Sequence, residues 1–247
     1  MDSFDCLNKE SIELLYRNNM LIPLIKSELQ KKELSNIKIS KELKINAIQV
    51  FLKKLKLPDQ ASFEEWKNKN NINDSEFENL ALNEIKIKTY CKNNFASKAE
   101  SRFLERKSQL DVVVYSLIRV RDSDKAREIY LRIEDKEAEF GQLASQFSEG
   151  MEKKTCGIIG PAPLGAAHPK LIQFLKNKPI GEVQPPIKIE DSYVIVRLES
   201  MEPAQLDDFM REKMTQELFN NWLDQKAIEL CQKILQTLSI HNQALKE

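Results

Sequence analysis

The chain has 247 residues, and its 38 basic and 38 acidic side chains balance to a formal net charge of zero. That balance gives no electrostatic case for nucleic acid or for an anionic membrane surface. The longest apolar runs, such as LIPLI from Leu21, are far too short to cross a bilayer, so no membrane insertion is expected. The four cysteines, Cys6, Cys91, Cys156 and Cys231, stand singly with no CxxC and no Cys/His pair, so no metal site and no cofactor is expected. Scattered thiols suit a reducing compartment, and the start of the chain, with Asp2 and Asp5, shows neither a basic nor an apolar leader region. A cytoplasmic location is the expectation.

Apolar residues recur at helical spacing from Ser11 to Lys32 (Ile12, Leu15, Met20, Leu24, Ile25, Leu29). Asn18-Asn19 and Pro23 interrupt the pattern, which predicts two short helices or one broken one. A second pattern runs from Ile39 to Leu57, with Pro58 as its stop. Ser62 to Glu65 has the form of a capping box opening a short helix through Trp66. Asn73 to Glu76 caps a long amphipathic helix carrying Phe77, Leu80, Ile85, Ile87 and Tyr90, and Ser97 to Glu100 reads as another capping box. Residues 1–108 are thus expected to form an all-helical unit.

At Asp111 the period changes. Val112 to Val120 is β-branched and mostly apolar, as in a strand buried on both faces. Asp122 or Ser123 can cap the helix that follows, and a further helix carries Phe140, Leu143, Ala144 and Phe147. Next come a short strand over Gly157–Gly160, a helix from about Lys170 to Leu175, an extended stretch Val183–Ile189 and an alternating strand Ser192–Leu198. From Leu206 to Leu238 one uninterrupted helical pattern carries Phe209, Met214, Phe219, Trp222 and Leu223, expected to pack on the N-terminal helices. The polar tail from Ser239 is expected to fray.

All six glycines lie between Gly141 and Gly181, and seven of the nine prolines lie between Pro161 and Pro203. Gly opens positive φ and Pro fixes φ, so this window is where the backbone is bent into a specific shape. Among its side chains, His168 has no nucleophilic partner at a useful spacing and reads as an exposed loop residue. Cys156, beside Lys153 and Lys154, reads as an ordinary thiol without a resolving partner. Glu152-Lys153-Lys154 and the Arg119, Arg121, Lys125, Arg127 set read as solvated faces.

The order of motifs across this region resembles a parvulin-type peptidyl-prolyl cis-trans isomerase domain. EAEFGQLASQFSEG stands for the family's acidic-Phe-x-x-Leu-Ala helix, and CGIIGPAPLG for its Gly-Gly-Asp-Leu-Gly-x-Phe-x-x-Gly loop. HPKLIQFL stands for its Met-x-Pro-x-Phe segment, and IGEVQPPIKIEDSYVIVRLE for its last two strands. Helical flanks around such a domain are the layout of SurA-like and PrsA-like foldases. The resemblance implies an α+β fold: a small antiparallel sheet domain (109–200) with surrounding helices, inserted in an all-helical module made of 1–108 and a C-terminal helix in 201–247.

Carried over by position, the resemblance places the family's apolar pocket on Ile159, Ala167 and Leu171, and its loop Phe on Ala162. Its polar cluster falls on Ser116, Val194 and Gly150. Of that cluster only Ser116 retains a hydrogen-bonding side chain, so it is the candidate catalytic group, and the other six are candidate substrate contacts. Two readings stay open. The chain is a peptidyl-prolyl isomerase acting on unfolded or precursor polypeptides, or a parvulin-fold chaperone that binds such clients without catalysis.

Overall fold

The computed structural model of the protein describes residues 4, 6–57 and 59–244. The chain divides into two compact units, residues 1–102 with 207–247, and residues 103–206. The sequence reading sets these limits at 108/109 and 200/201. Among the described residues, no helix is long and apolar enough to cross a membrane.

The first unit is helical. Helix α1 (Lys9–Arg17) starts where Asn8 Oδ1 accepts the Ser11 N–H, and it ends at Asn18, after which Asn19 turns to φ 57°. Helix α2 (Leu21–Ser35) follows, so the interrupted pattern resolves into two helices. Pro23 is no break, because it sits in the first turn of α2, where no intrahelical N–H bond is lost. Helix α3 (Lys41–Leu55) is capped by Ser40. Pro58, its expected stop, lies outside the described residues.

Helix α4 (Gln60–Lys69) is capped by Asp59, whose Oδ1 accepts the Ser62 N–H at 2.8 Å. Ser62 is therefore inside the helix and not its cap; the carboxylate upstream is the stronger acceptor and starts the helix earlier. The expected capping box at helix α5 (Asp74–Phe95) is complete, with Asn73 and Glu76 bonded reciprocally at 2.9 Å. Ser97 caps nothing. It lies in a 3-10 turn (Ala96–Lys98) leading straight into helix α6 (Ala99–Leu110), and Ala96 and Ala99 both keep helical φ/ψ, which a capping residue must leave.

The C-terminal helix, α10 once the intervening elements are counted, spans Asp208–Ala244 and packs on α2 and α5. Its buried stripe is Met214, Phe219, Leu223, Ala227 and Cys231. Phe219 stands 5.0 Å from the Tyr90 ring and 6.3 Å from Phe95, while Leu21, Ile25 and Ile12 close over Ala227 and Cys231. The helix continues past Ser239 to Ala244, since no Gly or Pro after Pro203 interrupts it.

The second unit carries a four-stranded antiparallel sheet. Its strands are β1 (Val112–Val120), β2 (Ile158–Pro163), β3 (Val183–Ile189) and β4 (Ser192–Glu202), in the order β2-β1-β4-β3. Helix α7 (Ser123–Glu134), capped by Asp122, and helix α8 (Phe140–Phe147) cover one face over Ile118, Val120 and Ile195. Helix α9 (Pro169–Leu175) covers the other face, where Leu171 and Leu175 meet Tyr115, Leu117, Val194, Val196 and Leu198. A strand covered on both sides is mostly apolar, which is the pattern of β1 apart from Ser116 and Arg119.

Candidate functional site

Within the glycine/proline window, strand β2 forms the edge of the sheet next to β1. Leaving α8, the chain docks on β1: the Glu149 N–H donates to Arg119 O at 2.8 Å, and the Arg119 N–H donates to Ser148 Oγ at 3.1 Å. A 3-10 turn (Met151–Thr155) follows, then Gly157 at φ 85°, whose carbonyl accepts the Leu117 N–H at 2.8 Å. Strand β2 then pairs with β1, and Gly160 (φ 114°) passes so close that a Cβ there would meet Val113 O at 2.5 Å. Both glycines are required by the backbone path they take.

His168 is the N-cap of α9, its Nδ1 accepting the Lys170 N–H at 3.3 Å, with Pro169 at the first helical position. Its other nitrogen stands 4.0 Å from Glu190 Oε1. Capping, and not mere loop exposure, is therefore its place in the fold.

Four of the expected site residues are brought together. Ile159, Ala167, Leu171 and Val194 share the α9 face of the sheet, in one apolar cluster with Tyr115, Leu117 and Leu164. Leu171 is 5% exposed and Val194 2%, so they form the floor, while Ile159 and Ala167 are partly exposed and form the rim. A ligand entering here meets Ile159 and Ala167 first. Ala162 pairs with Val113 along β2 and is not part of the cluster.

Ser116 is not brought to this face. Side chains alternate along a strand, and with Tyr115 and Leu117 toward α9, Ser116 points with Ile118 toward α7 and α8. There it is 2% exposed and its hydroxyl donates to Glu199 Oε1, an oxygen that also accepts from Arg197 Nε at 2.8 Å. The Arg197 guanidinium in turn lies over the Phe140 ring, 5.1 Å from its centroid. An alignment of motifs is blind to a one-residue offset in a strand, yet that offset moves a side chain through the sheet. Val113, Tyr115 and Leu117 are the β1 residues on the face of the cluster, and the sequence assigns none of them to the site.

Gly150 leaves room for a neighbour. Its backbone is extended (φ −99°, ψ −179°), a conformation any residue adopts, yet a Cβ on it would stand 2.2 Å and 2.3 Å from the two carboxylate oxygens of Glu152. The sequence reading puts Glu152 on a solvated face; instead it is 7% exposed. Its Oε1 accepts from Ser148 Oγ at 2.7 Å and lies 3.9 Å from Arg119 Nε. The 3-10 turn explains the burial, because it folds residue 152 back against the Ser148–Gly150 stretch. The available signal was a glycine at a polar position followed two residues later by an acidic side chain.

Tyr115 belongs to the same surroundings. Burial, and after it the Glu152 carboxylate, push the phenol upward in pKa, while Arg119 opposes them. The Tyr115 hydroxyl, the Glu152 carboxylate, the Arg119 guanidinium and the Ser148 hydroxyl thus form a polar set linked to the apolar cluster through Tyr115. Among the described residues, no group of three or more His, Cys, Asp or Glu side chains is arranged to hold a metal ion.

Residues 119–200 match the family model described as Rotamase, the PPIC-type PPIASE domain. No curated protein sequence matches the chain. Among solved structures, the peptidylprolyl isomerase PrsA from Bacillus anthracis superposes with a TM-score of 0.51 at 21% identity, covering 85% of this chain and 97% of its own. PrsA from Bacillus cereus gives 0.48 at 16% identity, covering 90% and 87%. The parvulin domain of PpiD from E. coli gives 0.34 at 25% identity, covering 40% and 97%. The first of these likenesses shows that the α+β fold, a sheet domain set in a helical module, is shared with PrsA.

Proposed function

From the match of residues 119–200 to the PPIC-type rotamase family model, we propose that the chain is a peptidyl-prolyl cis-trans isomerase working as a foldase on proline-containing, unfolded or precursor polypeptides. Rotation about an X-Pro amide meets a barrier of roughly 18–20 kcal/mol because the C–N bond has partial double-bond character. No covalent bond breaks, so the site's work is to hold the ring, exclude water and favour the twisted amide over both planar forms. The observation that carries the reading is the shared face of Ile159, Ala167, Leu171 and Val194, an apolar seat whose rim is partly exposed and whose floor is buried.

The test follows cis-to-trans conversion of a short X-Pro peptide by the full chain and by Ala167→Trp, which fills the rim without touching the floor. Conversion faster than the uncatalysed rate, and slowed by the substitution, supports the isomerase. A rate equal to the uncatalysed one removes it.

A second reading, binding of unfolded clients without catalysis, draws on the helical unit. There α3 and α5 flank a cleft lined by Leu43, Ala47, Val50, Phe51 and Leu80. Leu43, Val50 and Leu80 are about half exposed, at 47%, 53% and 46%. Suppressed aggregation of an unfolded client, lost in Val50→Asp but kept in Ala167→Trp, would locate client binding there.

A further inference from the structure

We propose that Tyr115 and Glu152 are the polar groups of the isomerase site, the Tyr115 hydroxyl serving as hydrogen-bond donor and the Glu152 carboxylate as the fixed negative charge that position 150 does not itself carry. The inference rests on the isomerase reading above and assigns the side chains that would act on the bound amide.

Three observations converge on it. First, the space a side chain at residue 150 would occupy is filled by the Glu152 carboxylate, within 2.3 Å of where a Cβ would stand. Second, that carboxylate is only half used. Its side chain is 5% exposed, and Oε1 takes the Ser148 hydroxyl, but Oε2 receives no hydrogen bond from any described residue. Oε2 is not among the buried polar atoms left without a partner, so it keeps contact with solvent and is open to a ligand. Third, Tyr115 is 6% exposed on the same face as Ile159, Leu171 and Val194, and its hydroxyl also has no hydrogen-bond partner among the described residues. Tyr115, on the face of the apolar cluster, thus stands within electrostatic reach of the Glu152 carboxylate.

Their chemistry suits the reaction. A planar amide draws negative charge onto its oxygen and positive charge onto its nitrogen, and this separation is the source of its double-bond character. A fixed carboxylate beside the carbonyl disfavours that separation and so weakens the resistance to rotation. In the rotated amide the nitrogen regains its lone pair and becomes an acceptor, which a phenol O–H can satisfy. The raised phenol pKa keeps Tyr115 a donor at neutral pH. Arg119, 3.9 Å from Oε1, holds the carboxylate in place from the rim, where it is about half exposed.

The experiment uses the full chain and four proteins: wild type, Tyr115→Phe, Glu152→Gln, and the double variant Gly150→Asp/Glu152→Ala. Isomerisation of an X-Pro peptide is resolved into kcat and KM, with thermal unfolding as the control for folding. Phe and Gln conserve volume, and Gln can still accept from Ser148. The expected result is a loss of kcat of about tenfold or more for each single variant at similar KM. The double variant, which moves the carboxylate back to residue 150 on backbone that accepts a side chain, is expected to regain most of that loss. Rescue of this kind separates a charge acting on substrate from one that merely braces the loop. If wild type isomerises and both single variants stay within about twofold of it, the assignment falls while the proposed function stands. If wild type does not accelerate the reaction, the proposed function and this assignment fall together.

Discussion

The hydroxyl of Ser116 donates to Glu199, and Glu199 is the residue of β4 left without a partner where the register shifts between Val114–Ser200 and Tyr115–Leu198. The bulge turns a carboxylate toward the α8 face of the sheet, where Ser116 and Arg197 satisfy it together. Ser116→Ala is therefore expected to lower stability by about 1–2 kcal/mol, through a carboxylate deprived of one of its two donors. Isomerase activity should be unchanged. A fall in kcat/KM with unaltered melting would place Ser116 back in the site.

Gly160 sits at φ 114° with Val113 O in the way of any Cβ. Gly160→Ala should cost about 2–3 kcal/mol and loosen the pairing of β2 with β1. Denaturant unfolding reads this as a lower midpoint at constant slope. A midpoint equal to that of the wild type would show that the edge strand can shift to absorb a methyl group.

Thiol reactivity should split the four cysteines in two. Cys6 and Cys156 are exposed, whereas Cys91 and Cys231 are buried, and burial pushes the Cys91 thiol up to about 11 and raises Cys231 as well. A disulfide reagent at neutral pH is expected to modify two thiols quickly and all four only after unfolding. Fast modification of a third would mean that the packing of α10 on α5, around Cys91, or on α1 and α2, around Cys231, opens readily.

Tyr90 donates to Glu33 Oε2 at 2.9 Å, tying α5 to α2, and burial followed by that carboxylate raises its pKa to about 12. A pKa raised from 10.0 means that the folded state favours the neutral phenol, so this stabilisation is complete below pH 10.0 and is lost as pH rises toward 12. Cys91, raised from 9.0, acts in the same direction from a lower starting point. Melting temperature should accordingly fall from about pH 9 upward. In Tyr90→Phe the fall above pH 10 should be shallower, with about 1 kcal/mol of stability already missing at neutral pH. A parallel profile would mean that the Tyr90–Glu33 bond contributes nothing measurable.

The elements and the shape of the window are written in local sequence. Helical and strand periods, the Asn73 capping box and the run Val112–Val120 are local, so they survive without knowledge of neighbours. Gly157 and Gly160 were legible for the same reason, because positive φ is a property of the residue's own backbone. The apolar half of the site followed from motif order, which the clustering of Ile159, Ala167, Leu171 and Val194 reflects.

The polar half rests on long-range packing. Whether residue 115, 116 or 117 faces the groove depends on the absolute phase of β1, and that phase is set by pairing with β4 and β2 and by which helix covers which face. Whether Glu152 is solvated or buried depends on the empty volume at Gly150 and on Ser148 and Arg119 meeting it from neighbouring backbone. In sequence, Gly150 reads as the loss of a functional group. In three dimensions the same missing Cβ is the space that a carboxylate two residues away enters, because space vacated in a packed interior is filled by whichever side chain the backbone can deliver to it.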